Sequence, residues 1–182
     1  SIEGMEIKGT LGKLYAKADR IDLGKEIARL NKIDLSDTAI TLLMNDTTTN
    51  KDTTSTAVNW KLMLDQIDLD RVAFAMQIPG DSLRLSTYID KAGLTDGIVD
   101  LGSARYSASQ FLLSGSSLSY DGSYSDPAPG FDPAHIALND VNIRIDSLLY
   151  GGRDISARIK KFSANDRSGL TLSSLTGDIS SD

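Results

Sequence analysis

The chain has 182 residues, 40% hydrophobic and 24% charged, which is enough for one large domain or two small ones with a core. A net charge of −6 and a pI near 4.7 argue against nucleic acid and, more weakly, against anionic lipid headgroups, both of which call for a basic face. No cysteine is present, so there is neither a disulfide framework nor a thiolate metal site, and no apolar run reaches the roughly 18 residues that would span a bilayer.

The chain does not begin on Met and opens inside a strand-like pattern, Ile2-x-x-Met5-x-Ile7. It reads as an internal piece of a longer protein whose targeting segment could lie upstream. Gly24 to Leu30 is the best helical candidate, but it is short, flanked by Ile21-x-Leu23 and lacks an N-cap, so no more than a turn is expected there. Next comes the phrase Ile33-x-Leu35-x-x-Thr38-x-Ile40-x-Leu42. Residues 45–56 contain no apolar side chain and read as a mobile, exposed loop. Trp60-x-Leu62-x-Leu64 then alternates with period two, no further than Gln66, and leads into Ile67-x-Leu69-x-x-Val72-x-Phe74-x-Met76. Leu83-x-Leu85-x-Thr87-x-Ile89 is another alternating row. Val99-x-Leu101-x-x-Ala104-x-Tyr106-x-Ala108 is a weaker copy of the phrase. Residues 121–133, rich in Gly and Pro, form the best internal boundary of what reads as a single repetitive domain over residues 1–182. Beyond it lie Ile136-x-Leu138-x-x-Val141-x-Ile143-x-Ile145, a Gly151-Gly152 hairpin turn, and Ile155-x-Ala157-x-Ile159.

The phrase recurs after 34, 32 and 37 residues, a period typical of arrays whose units share an apolar face. Each copy contains a phase switch, one extra residue between two alternating halves. In a straight strand this would turn the second half inside out. A tight turn or β-bulge at Ser36-Asp37, Asp70-Arg71 and Asn139-Asp140 would restore the facing. Lys61, Asp65, Arg84, Arg144, Arg158 and Lys160 fall on the opposite, solvated parity. The fold expected is therefore all-β and repetitive, a mainly antiparallel bent sheet or trough with an apolar inner face and little or no helix.

Reactive constellations are weak. Asp65-x-x-Asp68-x-Asp70 has hard-cation ligands, but Asp65 belongs to another alternation row than Asp68, and the Gly and terminal Glu of an EF-hand are missing. Asp121-Gly-Ser-Tyr-Ser-Asp126 is a plain turn. His135 is the only histidine and lacks a partner motif, which makes it the start of a strand rather than a base. There is no Gly-x-Ser-x-Gly elbow, P-loop or Gly-x-Gly-x-x-Gly. Asn45-Asp46-Thr47 matches a glycosylation sequon, a triplet frequent by chance. Neither enzyme activity, nor a metal, nor a cofactor is expected.

The final third carries a resemblance. Phe131-Asp132-Pro133-Ala134-His135-Ile136-x-Leu138, then Asn142-x-Arg144-x-Asp146-Ser147-Leu148-Leu149-Tyr150, Ile155-Ser156-Ala157 and Asp166-Arg167-Ser168-Gly169-Leu170-x-Leu172-x-x-Leu175-x-Gly177 resemble the TamB/AsmA-like proteins of Gram-negative envelopes, especially the long versions from Bacteroidetes. Trp60 to Phe74 is similar to them as well, so the resemblance spans most of residues 32–182. It implies a periplasmic section of an inner-membrane-anchored protein, a β-taco trough with an apolar concave face. It also implies a part in phospholipid transport and outer-membrane assembly, and it carries no catalytic residue.

Under that reading the groove candidates are Ile33, Leu35, Ile40, Leu42, Leu62, Leu64, Ile67, Leu69, Phe74, Met76, Leu83, Leu85, Ile136, Leu138, Ile143 and Ile145. The expected partners are phospholipid acyl chains and outer-membrane assembly proteins, and free sheet edges would allow two copies of the chain to pair. The alternative is a protein-binding or structural β scaffold of the cell envelope that conducts no lipid.

Overall fold

The computed structural model describes residues 5–44, 59–152 and 154–181. The loop expected at 45–56 and the sequon at Asn45 lie outside them. Nine strands form one sheet: β1 (Met5–Thr10), β2 (Lys13–Asp22), β3 (Ile27–Met44), β4 (Lys61–Ile78), β5 (Leu83–Asp100), β6 (Arg105–Asp121), β7 (His135–Gly151), β8 (Asp154–Asp166) and β9 (Thr171–Ser180). From β3 to β9 the spatial order follows the sequence, while β1 and β2 lie end to end along the free side of β3. The sheet is open and does not close into a barrel. The only helical element among the described residues is a 3₁₀ turn at Pro79–Asp81. The helical candidate Gly24 to Leu30 is not a helix: residues 23–26 are the turn from β2 into β3, held where Lys25 N–H donates to Asp22 Oδ1 at 3.1 Å, and β3 begins at Ile27. The 121–133 boundary does not interrupt the sheet, because β6 and β7 pair antiparallel across it, from Asp121 opposite His135 to Arg105 opposite Gly151. Gly151 faces Asp154 across the β7–β8 turn, with Gly152 at φ 63°.

All pairings are antiparallel except one: β3 and β4 run parallel, Ile33 beside Ile67, Leu35 beside Leu69, Ile40 beside Phe74 and Leu42 beside Met76. The spacing of 34 residues thus places the first two copies of the phrase side by side, residue for residue. The copy in β7 lies in the same cross-strand rows but runs the other way. The weaker copy at 99–108 is not a fourth unit: residues 101–104 are the turn between β5 and β6, so its two halves belong to different strands. Its spacing imitates the phrase because a short hairpin turn also interrupts period-two alternation.

The expected corner is present, and it crosses the sheet. Asp37, Arg71, Gly115 and Asp140 have φ of 53°, 52°, 59° and 49°, the left-handed conformation of a bulge. Each immediately precedes a buried residue, namely Thr38, Val72, Ser116 and Val141, whichever way its strand runs. A second line lies lower in the sheet. Asp96 (φ 50°) precedes buried Gly97, Ser147 (φ 62°) precedes Leu148, and Ala108 and Ala157 are buried beside them. At both lines the left-handed residues are exposed and their apolar-face neighbours are covered. A residue outside a bend is opened to water and one inside is crowded by the flanking walls, so both lines fold toward the same face. The result is a trough with two walls and a floor. Between residues 32 and 37 of β3 the floor is about 16 Å wide at about 3.3 Å per residue. Eight strand levels, at about 4.8 Å each, give it a length of about 34 Å.

Bulges spend backbone hydrogen bonds, and two buried hydroxyls replace them. Thr38 Oγ1 donates to Ser36 O at 3.0 Å and accepts Gly12 N–H at 3.2 Å. Ser116 Oγ donates to Ser114 O at 3.1 Å and accepts Asp90 N–H at 3.3 Å. The two sites are the same device on different strands, which explains why a hydroxyl residue stands where β4 and β7 carry Val. Gly12 itself fits only as glycine, because a Cβ there would lie 2.4 Å from Asp37 O and 2.5 Å from Ser36 O. The missing side chain lets the β1–β2 edge turn the same corner.

Candidate functional site: the apolar trough

Strand register sorts the side chains into rows that run along the trough axis, perpendicular to the strands. On the inner face one wall row is Leu42, Met76, Leu85, Tyr120, Ile136, and the next is Ile40, Phe74, Thr87, Leu118, Leu138. The floor carries Leu35, Leu69, Ala92, Leu113, Ile143, Phe162, then Ile33, Ile67, Leu94, Phe111, Ile145, Ile159. Beyond the second bend come Leu30, Leu64 and Gly97, then Ala28, Leu62, Val99, Tyr106 and Tyr150. Tyr106 and Tyr150 stack with ring centroids 6.0 Å apart. Leu83 extends the wall at its upper end, opposite Ile78.

All sixteen groove candidates therefore share one face. Their exposure is uniform and informative. Leu64 is buried, Ile40 is 37% exposed, and the remaining fourteen are half-buried. A sandwich core would bury large side chains against a second layer. Here the most buried apolar residues are mainly Ala and Val at the bends, and the largest fully buried side chain is Ser116. The large side chains of the floor and walls are shielded by their neighbours in the bent sheet and still meet the lumen.

Two cavities of about 250 Å³ each open on this face near β6–β9. One is lined by Phe131, Ile136, Leu138, Phe162, Ala164, Asp166, Leu170 and Leu172. The other, lined among others by Thr87, Leu113, Val141 and Ile143, shares Leu138 and Phe162 with the first, so the two adjoin at the upper bend.

The outer face carries most of the charged side chains, many of them paired, beside the exposed Tyr88, Ile98 and Leu112. Arg71 Nε donates to Asp37 Oδ1 at 2.7 Å and holds the Asp37 carboxyl below its ordinary pKa. Asp65, Asp68 and Asp70 all lie on this face, which corrects the reading that Asp65 sits in another row, because the lower bend shifts its phase. Each has a neighbour: Arg29 and Asn31 for Asp65, Lys32 and Gln66 for Asp68, Arg71 for Asp70. His135, read from sequence as unpartnered, has a partner three residues upstream. Its Nδ1 is 3.0 Å from Asp132 Oδ2, and the residue is 4% exposed. Asp132 also accepts the amides of Ala128 and Ala134, both at 2.9 Å, and these two bonds, more than the imidazole, lower its pKa. The arrangement ties down the β6–β7 connection, and Tyr124 Oη donating to Pro79 O at 2.9 Å fastens the same connection to the β4–β5 turn.

The sequence reading passed over the inner face of β6. Phe111-x-Leu113 and Leu118-x-Tyr120 alternate as plainly as the rows chosen, but the serines around them at 107, 109, 114, 116, 117 and 119 dilute the signal. It also missed Phe162, which lines both cavities. No protein-family model matches the chain, and no curated protein matches it in sequence.

Proposed function

We propose that this chain is a section of a periplasmic, TamB/AsmA-like trough that carries phospholipid acyl chains along its apolar face and so serves outer-membrane assembly. One observation carries the reading: mainly apolar rows run along the trough axis with their large side chains half-buried and open to the lumen. The rows lie in the direction an extended alkyl chain would take. A methylene fills about the same space as a water's share of the liquid, ~30 Å³, so each 250 Å³ cavity matches roughly eight of them. At ~0.8 kcal/mol per methylene, eight contribute about 6 kcal/mol before the loss of chain freedom is subtracted. Such binding holds a chain without trapping it, as passage requires.

The experiment is native mass spectrometry of the chain purified from a bacterial periplasm, with solvent extraction. Co-purified phospholipid is expected, and Phe74→Asp, which sets a carboxylate midway along an apolar row, should lower it at least about tenfold in a protein that keeps its strand content. Undiminished lipid on folded Phe74→Asp would remove the groove assignment. A lipid-free wild-type protein would favour a scaffold that binds proteins through its sheet edges.

A further inference from the structure

The two edges of the sheet are built differently. Among the described residues β1 and β2 pair only with β3, and β9 pairs only with β8. The β1–β2 edge is guarded. Lys8, Lys13, Lys17 and Arg20 stand exposed along it, and its register with β3 slips between Lys17 and Arg20. Charges and irregularities of this kind keep an edge from pairing with another chain. β9 has no lysine, arginine or proline, and its one charge is Asp178, which Arg158 holds at 3.1 Å. The lower end of β9 is laid firmly on β8, since Ser181 N–H donates to Ile155 O at 2.9 Å. Alternate amides of an extended strand point the same way. Those of Ile179 and Gly177 therefore also face β8, and those of Asp178 and Thr176 face outward.

These outward groups are self-complementary. With a second β9 running antiparallel and Gly177 opposite Gly177, Thr176 exchanges backbone hydrogen bonds with Asp178 of the second copy. Leu175 then lies opposite Ile179 on the inner face, and the two side chains, 45% and 49% exposed in one copy, cover each other. A register centred on Asp178 would set that carboxylate against itself, and one centred on Thr176 would leave Leu175 opposite Gly177. Gly177 supports the same centre. Its φ is not left-handed, and a Cβ there would meet nothing within 4 Å, so one copy alone does not require glycine. At the axis it falls in a non-hydrogen-bonded pair, where the Cα atoms of the two strands approach to about 4.5 Å. We propose that two copies of this chain pair antiparallel through β9 about a two-fold axis at Gly177. That axis stands perpendicular to the sheet, so both apolar faces stay on one side and the trough doubles in length. The pairing rests on the edge and not on what fills the trough.

Sedimentation velocity of the purified chain over a concentration series tests it. The wild type should form dimers and no larger species. Thr176→Asp sets two acids opposite each other on both sides of the axis and should weaken the dimer about tenfold. Thr176→Lys meets Asp178 instead and should hold or strengthen it. Thr176→Pro removes an outward amide that β8 does not use and should leave only monomer. Each variant is checked for strand content by circular dichroism. A wild type that stays monomeric at every concentration overturns the proposal. So does a dimer that Thr176→Asp and Thr176→Lys weaken equally, or one that survives in folded Thr176→Pro.

Discussion

Replacing Ser116 by Ala removes one oxygen from a residue that is 1% exposed at the upper bend. That oxygen accepts Asp90 N–H at 3.3 Å and donates to Ser114 O at 3.1 Å, and the alanine methyl can do neither. An orphaned buried donor costs about 1–3 kcal/mol, and at 2–4 °C per kcal/mol for a chain of this size the melting temperature should fall by roughly 2–12 °C. Thr38→Val repeats the test at the equivalent hydroxyl with shape preserved, stranding Gly12 N–H. Ser86→Ala, an exposed serine on the outer face of β5, should change the midpoint by less than about 1 °C. Thermal melts followed by far-ultraviolet circular dichroism compare the four proteins. If Ser116→Ala and Thr38→Val melt with the wild type, the hydroxyls are not what satisfies the bend, and the account of the corner given above is wrong.

Gly12→Ala should detach the β1–β2 edge, because its new Cβ would meet the carbonyls of Asp37 and Ser36 inside 2.6 Å and only movement of the edge can relieve that. Amide hydrogen exchange should then show lost protection across β1 and β2 while β4 to β7 stay protected; unchanged exchange on the edge would contradict the geometry. Acid should loosen the structure through Asp22, Asp37, Asp100, Asp132 and Asp166, whose folded pKa values all lie below the ordinary 3.8. A depressed folded pKa contributes stability above the unfolded value, and that contribution is lost as pH falls through the folded one, so melting temperature should hold near neutral pH and drop below about pH 4. Asp132→Asn should take away part of that drop and raise exchange in residues 122–134, and a variant with the wild-type acid profile would show that Asp132 does not anchor the connection.

Much of this molecule was legible in one dimension. Period-two alternation is a property of the extended backbone itself, so which residues share a face followed from their parity, and all sixteen groove candidates fell on one side. The phase switch was legible for the same reason: one extra residue inside an apolar row has to be absorbed by a bend, and Asp37 and Asp140 absorb it. Pairing was not legible. Nothing local distinguishes a parallel β3–β4 contact from an antiparallel one, and the turn at 101–104 mimicked the phrase because spacing alone cannot tell a bulge from a hairpin. Nor could sequence say that Ser116, alone of the six serines of β6, is buried at a bend, or that Asp132 reaches His135. The sequence by itself determined the class of fold, the apolar face and the upper bend at Asp37, Arg71 and Asp140, since these depend on residues near one another in the chain. Only the tertiary structure decided that a second line of bends exists, that both turn toward the same face, and that the rows align across the strands, because these depend on register between strands, which long-range packing sets.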